Sequence, residues 1–229
     1  VVEAGLCTRS LQLDYDEEVC FTSVKKIYDY ARDQDDRPFF LTASFSHPHN
    51  PFTITQEYWD RYDHDEIDLP SVPFIPFEDR DPWSQRYYHL IRQDEHDVSD
   101  DIIRTARRAY YGMISYVDDQ VGKLMTALQE TGLADNTVVI FTADHGDMMG
   151  ERGMWFKFNP YEWSVRVPLI VSSPSGVKNH VEERGVSLVD LLPTFVDLAT
   201  DGNPPEMIDP IDGHSLVGLM HNNDLEWQD

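Results

Sequence analysis

A chain of 229 residues, 41% hydrophobic and 12% aromatic, is long enough to bury a sizeable core and too apolar to remain disordered. Its formal charge of −24 argues against nucleic acid and anionic membrane surfaces as partners, because both would be repelled. The longest apolar runs are strand-sized, well short of the roughly 20 residues of a membrane-spanning helix.

In chain order, the N-terminus Val1-Val-Glu-Ala-Gly5 lacks an initiator Met, a basic n-region and an apolar h-region. The chain therefore reads as the later portion of a longer protein without a visible signal peptide. Cys7 and Cys20 give neither a disulfide framework nor metal-ligand spacing, so the expected setting is reducing and cytoplasmic. Among the 18 basic residues only Lys25, Lys26, Lys123, Lys157 and Lys178 are lysines, and an acidic, Lys-poor surface suits high salt. Asp16 to Asp33 has Val19, Val24, Ile27 and Ala31 at near-helical spacing and predicts an amphipathic helix. Pro38-Phe-Phe-Leu-Thr-Ala-Ser-Phe45 is a continuous apolar run that predicts a buried strand. Residues 46–100, rich in Pro, Asp, Tyr and His, predict a long irregular excursion, a kind of segment that is commonly functional.

From Asp101 to Glu130 the apolar positions Ile102, Ala106, Ala109, Met113, Val117, Val121, Leu124 and Leu128 step by three or four, predicting a long helix. Thr137 to Ala143 and Val167 to Val171 predict two more strands, and Ser187 to Ala199 a further helix. Residues 202–229 form a Pro-rich tail. Strands alternating with helices imply an α/β fold, a largely parallel sheet flanked by helices, within one catalytic domain over 1–229.

Three motifs carry chemistry. Phe141-Thr-Ala-Asp-His-Gly-Asp-Met-Met-Gly-Glu-Arg-Gly153 places polar groups directly at the end of an apolar strand, where open α/β sheets bind ligands. Asp144 offers a hard carboxylate and His145 an imidazole for a metal ion, although an Asx-capped turn accounts for the same residues. Phe45-Ser-His-Pro-His-Asn-Pro-Phe52 holds two histidines in a segment that proline predicts to be stiff and extended. His49 suits anion recognition or proton donation, or simply a loop cap. In Met154-Trp-Phe-Lys-Phe158, Lys157 stands amid aromatics either as a point charge for an anion or as a snorkelling side chain.

Together the three motifs resemble the sulfatase branch of the alkaline phosphatase superfamily, choline sulfatases above all. The resemblance extends through Leu13 to Val19, Tyr58-Trp-Asp-Arg-Tyr62, Ala109 to Gln120 and Val186 to Thr194, and the run from Asp144 to Lys157 is the most specific part. It implies that Asp144 and His145 bind a divalent cation, calcium or alternatively manganese. It also implies that His49 contacts the sulfate and its leaving oxygen, and that Lys157 contacts a sulfate oxygen. Asp118, Asp119 and Asp190 match scaffold positions.

The family's nucleophile, a formylglycine made in a Cys/Ser-x-Pro/Ala-x-Arg motif, has no match here, since Cys7-Thr-Arg-Ser10 lacks the pattern. The formylglycine is therefore expected N-terminal to these residues, along with further acidic metal ligands, and the chain alone is expected to be inactive. The implied substrate is a small-molecule sulfate monoester such as choline sulfate, with a homo-oligomer left open. Alternatives are an arylsulfatase, a phosphonate or phosphate monoester hydrolase of the same superfamily, or a non-catalytic partial domain acting as scaffold.

Overall fold

The computed structural model describes residues 1–33, 37–203, 205, 208–221 and 227. In chain order its elements are β1 (Gly5–Leu6), α1 (Leu11–Arg32), β2 (Thr53–Ile54), α2 (Gln56–Trp59), α3 (Pro82–Leu90), α4 (Asp100–Glu130), β3 (Val139–Thr142), α5 (Glu162–Val165), β4 (Leu169–Ser172), α6 (Leu191–Thr200) and α7 (Val217–Met220). Two units form: Val1–Asp33 with Leu41–Thr131 and His145–Val167, and Gln34–Phe40 with Gly132–Asp144 and Pro168–Asp229.

The first unit is built on α4. Ser99 caps it by accepting a hydrogen bond from Ile102 N, and Asp100 and Asp101 place negative charge at the positive end of the helix dipole. Its inner face carries small residues, Ala106, Ala109 and Gly112, which let other backbone approach closely. A Cβ on Gly112 would lie 3.1 Å from Ile54 Cγ2 and 3.2 Å from Tyr58 O, so glycine admits β2 and α2 against the helix. Helix α1 packs on α4 through Leu13, Asp16, Cys20, Ser23 and Ile27, spaced three and four apart. It begins at Leu11, five residues before the expected Asp16. In its first turn only Leu13 is buried, too little for periodicity to show, and the Ser10 cap, which accepts from Leu13 N at 3.1 Å, marks the start. Phe52, Ile54, Tyr58, Met113, Tyr116 and Trp155 fill the core between these elements.

In the second unit β3 and β4 pair antiparallel from Val139↔Ser172 to Thr142↔Leu169. The stretch before α6 opens with a capping box in which Ser187 and Asp190 satisfy each other's backbone N–H groups. Asp190 also accepts from His214 N at 2.9 Å, and Thr194 Oγ1 accepts from Leu216 N at 2.8 Å, which ties residues 214–216 to α6 and its N-terminus.

The class is α/β, with three departures from the expected layout. Residues 38–45 form no strand among the described residues. Their exposure alternates with period two, yet they enter no ladder. Of the two ladders, β1–β2 is parallel, with Gly5 opposite Thr53, and β3–β4 is antiparallel. The excursion 46–100 contains β2, α2 and the nine-residue α3, whose Asp81 cap followed by Pro82 is a helix-start signal masked by the density of Pro and Asp around it. Among the described residues no helix is long and apolar enough to cross a membrane.

Candidate active site

Much of the excursion 46–100 is bolted to the segment 147–158. The Glu151 carboxylate, 3% exposed, accepts from Ser71 N at 3.0 Å, Ser71 Oγ at 3.0 Å and Val72 N at 2.8 Å. Gln93 Nε2 donates to Gly153 O at 2.6 Å, Tyr87 Oη to Trp155 O at 2.9 Å and Trp83 Nε1 to Phe158 O at 3.1 Å. This scaffold holds an unusual backbone, in which Met149 (φ 45°), Arg152 (φ 59°), Phe156 (φ 64°) and Phe158 (φ 71°) are all left-handed without being glycine. Such conformations cost of the order of 1 kcal/mol or more each and persist where surrounding structure over-determines them. Lys157 sits between two of them.

His49 comes from the turn after residue 45. The segment is not extended as proline had suggested: His47–Pro48 and Asn50–Pro51 are cis and His49 N donates to Ser46 O at 3.0 Å. Helix α1 fixes this turn from one face. Gln12 Nε2 donates to His49 O at 2.8 Å and Asn50 O at 3.2 Å. One turn further along, Asp16, fully buried, accepts from Ser46 N at 2.6 Å, His47 N at 3.0 Å and His47 Nδ1 at 2.6 Å. His47 is thus a buried structural partner of Asp16, and the exposed His49 is the one that faces solvent.

The two sequence-distant residues meet. His49 Nδ1 lies 2.8 Å from Asn50 O, which can only accept, so Nδ1 carries the proton and Nε2 the lone pair. Nε2 accepts from Lys157 Nζ. The His145 ring lies edge-on to His49 with centroids 6.0 Å apart, and its own Nδ1 faces Gly146 O at 2.8 Å, which leaves the lone pair on Nε2. Lys157 brings a positive charge to this cluster, and each imidazole can donate to an oxyanion once its Nε2 takes up a proton.

Asp147 is the site residue that sequence reasoning did not single out. Its Oδ1 accepts from Met149 N at 2.9 Å and Phe156 N at 3.1 Å. Burial pushes its carboxyl up to about 6, against the opposing pull of these two hydrogen bonds and of the charges on His145 and Lys157. Its position three residues after Asp144 was visible, but a loop acceptor has no sequence signature of its own. Asp144 belongs to the second unit, exposed, two residues past the end of β3.

The metal expectation can be tested on donor chemistry. An exposed carboxylate and an imidazole whose Nε2 holds the lone pair suit a divalent cation, and they occupy consecutive positions in the chain. No group of three or more His, Cys, Asp or Glu among the described residues is arranged around a common ion position. Asp144 and His145 each carry a donor type that a divalent cation accepts.

The sulfatase family model matches residues 7–201. The choline-sulfatase of Rhizobium meliloti (strain 1021) is 41% identical over 225 residues, which cover 96% of this chain and 43% of that protein. The arylsulfatase of Clostridium perfringens (strain 13 / Type A) is 32% identical over 90% of this chain and 42% of that protein. Among solved structures, the phosphonate monoester hydrolase of Agrobacterium radiobacter superposes with a TM-score of 0.77 at 29% identity, covering 92% of this chain and 44% of that one. The chain spans less than half the length of these relatives.

Proposed function

The chain belongs to the sulfatase family, and on that premise we propose that the protein hydrolyses a small-molecule sulfate monoester, choline sulfate being the first candidate, with His49 and Lys157 acting on the sulfate head. The observation that carries this reading is the contact between Lys157 Nζ and His49 Nε2 beside the His145 ring.

A sulfate oxygen entering between Lys157 and His49 replaces the neutral lone pair that Lys157 now faces with an oxygen that shares the negative charge of the head group. The ammonium, preorganised by its loop, then neutralises the head group without further reorganisation. His49 is held with Nδ1 donating to Asn50 O, so a proton taken up at Nε2 points at the anion. From there it can be given to the departing alcohol oxygen, the step that makes the alcohol a good leaving group.

Asp144 and His145 are proposed as part of the ligand set of a divalent cation, calcium or manganese, which would supply Lewis-acid polarisation of the sulfate oxygens. The family generally uses a formylglycine as well, which supplies the attacking oxygen. No Cys or Ser in these residues lies in the corresponding motif, and we assign that group to a position outside 1–229. Free thiols at Cys7 and Cys20 support a reducing, cytoplasmic setting.

A second reading, phosphonate monoester hydrolysis, is favoured by the structural likeness at TM-score 0.77. One experiment separates the two: kcat/KM of the complete gene product on choline sulfate, an aryl sulfate and an aryl phosphonate monoester. The expected order puts choline sulfate first, with activity lost on chelation and restored by calcium or manganese, and no turnover by residues 1–229 alone. Preference for the phosphonate monoester would replace the sulfatase reading with the second one.

A further inference from the structure

We propose that Asp147 is the positioning residue for Lys157, its Oδ1 clamping both ends of the loop that presents the ammonium to His49. The kinetic arm of this inference rests on the sulfatase reading; the structural arm does not.

The two N–H groups that Asp147 accepts belong to Met149 and Phe156, and both residues are left-handed. One carboxylate oxygen thus stabilises two of the four strained non-glycine positions in the loop, at its entry and immediately before Lys157. The same crossing point is closed by Met148 N donating to Phe156 O at 2.8 Å. With Phe158 left-handed on the far side, the direction in which the Lys157 side chain leaves the backbone is set by conformations that extended or helical preferences would not choose. A lysine side chain loses rotamer freedom when it is fixed. A loop that aims its Cα–Cβ bond toward the anion reduces how much of that ordering the substrate must supply. Asp147 makes no hydrogen bond to Lys157 or His49 among the described residues; the Lys157 charge reaches its carboxyl through space, and its hydrogen-bonded hold is on the loop backbone.

The amide oxygen of asparagine can accept the same two N–H groups without the charge, whereas alanine accepts neither. D147A should lower kcat roughly 10²-fold with KM moved much less, the scale of a reacting group misplaced by about an ångström. It should also speed limited tryptic cleavage after Arg152 and Lys157, read by mass spectrometry, because the strained loop loses its clamp. D147N should recover both readouts to within several-fold of wild type. Wild-type kinetics and wild-type proteolysis in D147A would overturn the proposal, as would a folded D147N as impaired as D147A, since that assigns the effect to the charge. If D147A does not fold, D147N alone decides: both readouts within several-fold of wild type support the clamp, and a loss of roughly 10²-fold in kcat overturns it. If the wild-type protein hydrolyses no sulfate ester, the functional reading fails, and the proteolysis series still decides the role of Asp147.

Discussion

Lys157 Nζ donates to His49 Nε2 across 108 residues of chain, so the loop after residue 147 and the turn after residue 45 are folded to a common point. The two side chains are expected to act as one unit. Lys157→Ala should cost about 10²-fold in kcat, the scale for one preorganised charge stabiliser, and His49→Ala about 10²- to 10⁴-fold, the range for a proton donor. The double variant should lose much less than the product of the two, as residues working on one developing charge do. Losses that multiply would show that the two residues serve separate steps.

The turn that carries His49 depends on α1 for its shape. Gln12→Ala removes two hydrogen bonds to the carbonyls of His49 and Asn50 and should lower turnover about tenfold, with unfolding free energy reduced by roughly 1–2 kcal/mol. Asp16→Ala leaves Ser46 N, His47 N and His47 Nδ1 without their buried acceptor. It should destabilise by at least about 3 kcal/mol, at roughly 1–3 kcal/mol for each stranded donor. Denaturant midpoints of the two variants check the ordering, and equal midpoints would contradict it.

The candidate site residues stood out in the sequence because they come as motifs: Asp-His-Gly after an apolar strand, His-Pro-His, and a lone Lys among aromatics. The long helix was legible as well, from Asp101 to Glu130 against an observed Asp100 to Glu130, because eight apolar residues repeat on one face. What supports the motifs was not. Gln12, Asp16, Asp147 and Glu151 act as buried or half-buried acceptors and donors for backbone 30 to 80 residues away or across a tight loop, and no periodicity encodes that. The left-handed Phe156 and Phe158 were equally hidden, since aromatic residues carry no expectation of positive φ. The strand expected over 38–45 failed for a related reason, in that a strand is defined by a partner and an apolar run specifies none.

Glu151 ties residues 71 and 72 to the Lys157 loop. Its two oxygens take three hydrogen bonds from Ser71 and Val72 and lie 3.6 Å from the Arg107 guanidinium. Glu151→Ala strands the Ser71 and Val72 donors in a buried setting, while Arg107 keeps Asp68 at 2.6 Å, and it should destabilise by about 3 kcal/mol or more, at roughly 1–3 kcal/mol for each stranded donor. Glu151→Gln keeps one acceptor oxygen and should cost less. Chemical denaturation of both variants is the measurement, and an Ala variant within about 1 kcal/mol of wild type, well short of the predicted loss, would refute the bolt.

The pH dependence of this support is carried on its other side by Asp81, the cap of α3. Oδ1 accepts from Trp83 N at 3.0 Å and Ser84 N at 3.1 Å, and Oδ2 from the Ser84 hydroxyl and the Tyr161 hydroxyl. The Ser84 hydrogen bonds are the largest cause holding this carboxyl down at about 2, below its ordinary 3.8. The folded state therefore binds the proton less readily than the unfolded chain does. The stability that ionised Asp81 contributes is fully present above the ordinary value, and it is lost as pH falls through about 2. Asparagine caps a helix about as well as aspartate but cannot ionise, so D81N should be less stable than wild type at pH 5 to 7 and approach it near pH 2. Because α3 delivers Trp83 to Phe158 O and Tyr87 to Trp155 O, the same variant should exchange the amides of residues 154–158 faster at neutral pH. A constant gap between D81N and wild type across the whole acid range would show that the charge of Asp81 contributes nothing to the cap.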